Sequence, residues 1–319
     1  MKPVISIVIP TKGRVECVNA LAADLTSSAG YSNNKVCISV LDNATPGASY
    51  ALPKDVKLIV RREEVSAAEN ILSAATICHG FYSWIIGDDD AFPDDIFCRV
   101  FELVNTHEPG LIRLLHEYAE TDEIIRSFKF EPSSNKEQES FCWTCYGLNG
   151  VKDFELKSGF ISAHIIRSDI LNEALRLTRA TTNISTYSSN IYITKLYTVL
   201  SFYLSGGFWV SHDTLVKQRV PVSGRYFVES SSEWFKNFVA SPAEVYKACT
   251  RFNKSLGNIL LSIHFSKKID YRLLARDSVS ILRPLQYIHA NFKYMGIKRG
   301  LVNYLECIRA YIRASLRFG

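Results

Sequence analysis

The first hundred residues switch repeatedly between short apolar runs and helical spacing. Val4-Ile5-Ser6-Ile7-Val8-Ile9 is rich in β-branched residues and closed by Pro10, which predicts a buried first strand. From Arg14 to about Ser28, Val15, Val18, Leu21, Ala22 and Leu25 recur at the spacing of one helix face. Lys35 to Leu41 is a second apolar run, ending in Asp42-Asn43, and Asn43 to Asp55 reads as a loop from its Pro, Gly and Ser content. Val56 to Val60 is a short third strand. Ser66-Ala67-Ala68-Glu69 has the spacing of a capping box and opens a helix to about Cys78. Tyr82-Ser83-Trp84-Ile85-Ile86 is a fourth strand, followed by a helix from Pro93 to about Thr106. Strands alternating with helices predict a parallel, doubly wound α/β sheet.

Farther on, Leu111 to Leu115 and Phe160 to Ile166 read as core strands, and Glu131 to Glu139 as a polar loop. Asn190 to about Ser205 is an apolar helix stopped by Gly206-Gly207. Phe208-Trp209-Val210 and Thr214 to Val220 predict two closing strands. Past about Ser230 the spacing is helical to the end. The expected division is therefore 1–229 and 230–319.

Charge sharpens that boundary. The whole chain carries a formal +5, but residues 241–319 hold 14 Lys/Arg against 4 Asp/Glu, or +10. The rest is net acidic. A basic final region suits an anionic surface such as nucleic acid, phospholipid or a lipid-linked phosphate. No nucleic-acid recognition motif accompanies it. No run of about 18 apolar residues predicts a spanning helix, and the first residues lack the apolar segment of a signal peptide. The eight cysteines, including the isolated pair Cys142-Trp143-Thr144-Cys145, read as reduced thiols of a cytoplasmic protein.

The chemistry lies at three strand ends. Gly87-Asp88-Asp89-Asp90 places three adjacent carboxylates after the Trp84 strand. Such anions repel and are best tolerated with a cation among them. In an open α/β sheet ligands bind at the carboxyl ends of the strands. Pro10-Thr11-Lys12-Gly13-Arg14 adds a glycine for close backbone approach and a following helix N-terminus. Asp42-Asn43 can accept hydrogen bonds from a base or ribose. A nucleotide diphosphate bridged by a divalent cation fits this set, because carboxylates do not bind a diphosphate directly. All the ligands are oxygen, which favours Mg2+ or Mn2+. The same triplet also fits a solvated acidic turn ahead of a helix.

Ile5-Ser6-Ile7-Val8-Ile9-Pro10-Thr11, Val40-Leu41-Asp42-Asn43, Glu69-Asn70 and Gly87-Asp88-Asp89-Asp90, in this order, resemble the family 2 glycosyltransferases. The resemblance covers roughly residues 1–220 and is most specific in the first 100. It implies the GT-A fold: a Rossmann-like, mostly parallel sheet flanked by helices, here with a helical C-terminal extension. It implies sugar transfer, with inversion, from a nucleotide diphosphate sugar to a saccharide acceptor, lipid-linked, as in bacterial O-antigen or capsule synthesis. By the resemblance Pro10, Thr11, Gly13 and Arg14 line the nucleotide pocket with Asn43 and Asp89. Asp42 contacts base or ribose, Asn70 lies beside the pocket floor, Asp88 reaches the ribose, and Asp90 binds the metal, with Asp88 as a second candidate ligand to it.

One element departs from the family. Where its members carry the general base before the acceptor-side helix, this chain reads Thr181-Thr182-Asn183-Ile184-Ser185-Thr186-Tyr187-Ser188-Ser189-Asn190, without a carboxylate. His212-Asp213 and His164 are the substitute candidates for the base, and His212 is also a candidate metal ligand. Two further readings stand beside transfer. One is a sugar nucleotidyltransferase, whose Gly-rich signature Thr11-Lys12-Gly13-Arg14 matches only briefly. The other is a non-catalytic nucleotide- or membrane-binding module. The basic final region, interleaved with Leu, Ile, Tyr and Phe, predicts either amphipathic packing helices or peripheral attachment to the inner membrane face.

Overall fold

A computed structural model describes residues 2–120, 141–145, 160–181, 192–220, 241–266, 281–295 and 297–318. The chain divides into two compact units, Met1–Gly224 and Arg225–Gly319.

The first unit runs β1 (Ile5–Thr11), α1 (Val15–Ser27), β2 (Val36–Asp42), β3 (Val56–Val60), α2 (Ala67–Ile77), β4 (Tyr82–Ile85), β5 (Asp90–Ala91) and α3 (Ile96–His107). It continues through β6 (Leu111–Glu120), β7 (Phe141–Cys145), β8 (His164–Arg167), α4 (Ser168–Thr181), α5 (Tyr192–Ser205) and β9 (Gly207–Val220). The strands form one sheet in the order β3-β2-β1-β4-β8-β6-β9-β5, with β7 also paired to β9.

β1 lies between β2 and β4 and is parallel to both. Its side chains are therefore covered on both faces, which is why its sequence is a continuous apolar run rather than an alternating one. Ile5, Ile7 and Ile9 pack with Ile38, Val40 and Trp84, beneath Val18, Leu21 and Leu25 of α1 and Phe97 and Val100 of α3. The Ser66 hydroxyl accepts from Glu69 N and caps α2, as its spacing predicts.

The β3-β2-β1-β4 run is parallel, as expected, and β8 then inserts antiparallel between β4 and β6. Two expectations change. The strand expected from Phe160 begins only at His164, since Ile161–Ala163 form a 3-10 turn that aims Ser162 at the carboxylates. The two closing strands are one, β9. Its pairing with β6 slips near Leu115, where Ser211 Oγ accepts from Leu115 N at 2.8 Å and donates to Asp213 O at 2.9 Å. That hydroxyl satisfies the irregular backbone, so the strand bends without ending. Cys142, in β7, is a free thiol paired through its backbone with Val210.

In the second unit the described residues form α6 (Ser241–Phe252), α7 (Lys254–Ser266), α8 (Leu282–Met295) and α9 (Ile297–Phe318), each packed on the next. Tyr246, Cys249, Leu260, Leu261, Phe265 and Ile288 are buried. α6 and α7 approach closely at Gly257, where a Cβ would come within 2.5 Å of Thr250 N.

Candidate active site

The carboxyl ends of β2, β1 and β4 lie side by side, with Thr11 and Asp42 in register. Thr11 and Asp88 are both buried, and Thr11 Oγ1 donates to Asp88 Oδ2 at 2.6 Å. Beyond the turn at Gly13, whose φ of +72° suits glycine, Arg14 reaches back. Its Nη1 donates to Asp88 Oδ1 at 2.7 Å and to Asp89 Oδ2 at 2.8 Å. The cation that the acidic triplet requires is thus supplied in part by the chain itself. Burial still raises the Asp88 carboxyl above its ordinary range, against the pull of Arg14.

Asp90 is held differently. Its Oδ2 accepts from Ser162 Oγ and, at 3.1 Å, from Gly87 N. Gly87 N also donates to Ser162 Oγ at 2.7 Å, and Trp84 Nε1 donates to Ser162 O at 2.7 Å. A Cβ on residue 87 would lie 2.7 Å from Asp90 Oδ2, so glycine is required for this approach. The other oxygen, Asp90 Oδ1, is buried with no partner among the described residues. Burial, and then the charge of Asp89, push this carboxyl well above its usual range. A carboxylate that is 4% exposed, half satisfied and beside two other acids is poised for a cation. Mg2+ and Mn2+ are commonly held by one or two carboxylates together with substrate phosphates and water, and Asp90 fits that role. No group of three or more His, Cys, Asp or Glu is arranged to hold a metal among the described residues.

Asp42 is buried and bound by its own loop. Its Oδ1 accepts from Thr45 Oγ1 at 2.5 Å and from Tyr50 Oη at 2.9 Å, and its Oδ2 accepts from Thr45 N at 3.1 Å. Burial and this carboxylate push the Tyr50 phenol up to about 12. Thr45 Oγ1 also accepts from Gly13 N at 2.9 Å, which ties the loop to the turn after β1. Asn43 bonds Val65 through both side-chain atoms, at 2.8 and 2.9 Å, and Asn70 Oδ1 accepts from Arg61 Nε at 2.8 Å. Pro10, Thr11, Gly13, Arg14, Asp42, Asn43, Asn70, Asp88, Asp89 and Asp90 therefore occupy one edge of the sheet.

The substitute candidates for the base do not join them. Asp213 Oδ2 accepts from Arg99 Nη1 at 2.8 Å, on the α3 side. It lies five residues before Gln218, which pairs with Asp90, or about 16 Å along the strand. His212 is exposed beside it. His164 is two residues beyond Ser162 but buried in the sheet opposite Arg113. Burial and then the Arg113 charge lower its imidazole to about 3, which leaves it neutral and a poor proton acceptor. Residues 182–190, most of the stretch without a carboxylate, lie outside the described residues. Sequence reasoning missed Ser162 and the loop partners Thr45 and Tyr50. A serine inside an apolar stretch was the only signal for Ser162.

This sheet, with carboxylates at the parallel strand ends, is the GT-A fold of nucleotide-sugar-binding glycosyltransferases. It is similar to S. aureus TarS 1–349 in complex with UDP, at 12% identity and a TM-score of 0.64, over 100% of this chain and 91% of that one. The same TarS fragment in complex with UDP-GlcNAc gives 11% identity and 0.63, over the same shares. A longer TarS structure gives 12% and 0.59, over 98% of this chain and 54% of that one. At such identity the likeness is one of fold. No family model and no curated protein matches the sequence.

Proposed function

We propose that the protein is an inverting glycosyltransferase. It moves a sugar from a nucleotide diphosphate sugar to a saccharide acceptor, lipid-linked, in bacterial surface polysaccharide synthesis. The observation that carries this reading is the buried, unpartnered Asp90 Oδ1 beside the Arg14-clamped pair Asp88 and Asp89, at the carboxyl edge of a GT-A sheet. The TarS structures of the same fold hold UDP and UDP-GlcNAc, ligands of the proposed class. Asp90 would hold a divalent cation, Mg2+ or Mn2+, which would supply charge neutralisation for the leaving diphosphate. Asp88 and Asp42 serve the ribose and base, and Arg14 keeps the acidic edge compact. An acceptor oxygen bonds to the anomeric carbon as the bond to the diphosphate breaks, and the acceptor proton passes to a base. The +10 charge of residues 241–319 supports work at the inner face of a membrane. Among the described residues no helix is long and apolar enough to cross one.

Hydrolysis and transfer assays with UDP-, GDP-, CDP- and dTDP-sugars, with manganese or with chelator, test the reading. Turnover of one donor that chelator abolishes supports it. The lack of a carboxylate in residues 181–190 favours one competitor, a binding module without turnover. Nucleotide binding without consumption of any donor selects that competitor.

A further inference from the structure

α9 is the longest helix among the described residues, and five of its large apolar side chains face away from its packed side. Leu301, Val302, Leu305, Ile308 and Ile312 are 52%, 45%, 53%, 38% and 54% exposed, whereas Cys307 and Gly300 are buried. At about 100° per residue, Leu301, Leu305, Ile308 and Ile312 fall within an arc of roughly 60°. Cys307 and Gly300 fall on the side that packs. The four side chains form a straight apolar ridge about 16 Å long at ~1.5 Å rise per residue. Exposed Arg299, Arg309 and Arg313 lie along one flank of this ridge, with Glu306 the exposed acid among them. Half-buried Tyr304 and Tyr311 lie on the other.

We infer that this face of α9 is a docking surface for an anionic lipid bilayer. The helix lies flat, the Leu/Ile ridge enters the headgroup–acyl boundary, and the arginines meet lipid phosphates. This combination is what an interfacial helix requires: a narrow apolar face for insertion and cations beside it. Charge selects the bilayer over a second copy of this chain. Self-pairing along the ridge brings two sets of three arginines together with a single glutamate from each copy. The inference extends the membrane part of the proposed function to particular residues, and it does not depend on the transfer reaction.

The test is co-sedimentation of the full chain with phosphatidylcholine vesicles, with and without phosphatidylglycerol, at low and high salt. The expected result is binding to the anionic vesicles only, weakened by salt. Leu305→Glu with Ile308→Glu should reduce that binding at least about tenfold. Both side chains are exposed, so the thermal midpoint should stay unchanged. Arg309→Gln and Arg313→Gln, milder changes, should each weaken binding about fivefold. Wild-type protein that ignores anionic vesicles, or variants that bind as well as wild type, overturn the inference. So does an oligomer, seen by light scattering, that Leu305→Glu with Ile308→Glu converts to monomer, since the ridge then belongs to a second copy. Nucleotide affinity measured by calorimetry on the same samples reports on the transfer reading separately.

Discussion

Arg14 Nη1 bridges Asp88 and Asp89, at 2.7 and 2.8 Å, across more than seventy residues of sequence. One guanidinium nitrogen therefore balances two of the three adjacent acids. Arg14→Gln removes that balance and leaves Asp88, among the described residues, with the Thr11 hydroxyl. The expected loss is about 1–3 kcal/mol, because the arginine is partly solvated. Added Mg2+ should restore more of the thermal midpoint in the variant than it adds to wild type. Equal shifts in thermal-melt curves would show that Arg14 does not carry this charge balance.

Asp90 gives the metal-free protein an unusual pH dependence. Its folded carboxyl titrates well above the ordinary value, so the folded state holds a proton that the unfolded chain releases above about pH 4. Metal-free stability should fall as pH rises from there through the raised pKa. Asp90→Asn should flatten that limb and abolish metal-dependent turnover. His164 acts in the opposite sense. Its pKa falls from 6.5 to about 3 on folding, so stability lost below about pH 6.5 should be recovered in His164→Gln. Melting curves across pH for both variants separate the two contributions.

Tyr50→Phe removes one of the donors that hold the Asp42 carboxylate. The expected cost is about 1 kcal/mol in stability. Donor affinity should drop with it, because the same loop meets Gly13 through Thr45. Asp42→Ala should weaken nucleotide binding roughly tenfold or more, from about 1–3 kcal/mol of lost polar pairing. Calorimetry with the free nucleotide diphosphate is the measurement, and unchanged affinity places Asp42 outside the pocket.

Asp213→Asn breaks a partly exposed ion pair with Arg99, which remains paired with Asp95. Such pairs contribute about 0–1 kcal/mol. Turnover and donor affinity should both stay near wild type. A large drop in turnover with donor affinity intact would return Asp213 to the role of base.

The N-terminal strands and helices were legible because their signals are local. β1, β2 and β3 are apolar runs with polar ends, and α2 carries its own cap. The acidic edge was legible as well, since Asp88, Asp89 and Asp90 are consecutive. What the local pattern did not contain was partnership. Thr45 and Tyr50 follow Asp42 by three and eight residues, but they lie in a loop that reads only as polar, and its pattern does not say which of its groups turn back to the carboxylate. The break of the Phe160 strand into a turn follows from Ser162 meeting Asp90 and Gly87, a contact 72 to 75 residues away. His212 and Asp213 were misplaced for the same kind of reason. They look like a strand end after Gly206-Gly207, but Ser211 carries the strand through the irregularity, so the pair stays mid-strand and Asp213 meets Arg99 of α3.

The dependence of Asp90 on Ser162 bears on how the protein comes off the ribosome. Asp90 Oδ2 gains the Ser162 hydroxyl only with the turn at Ile161–Ala163, 72 residues farther along the chain. A nascent chain halted after α3 already contains every acidic residue of the edge, yet lacks the hydroxyl that fixes the last of them. Metal and nucleotide affinity should therefore arrive late in synthesis, and together. A fragment ending before residue 160 should be no cation site at all, however complete its motifs.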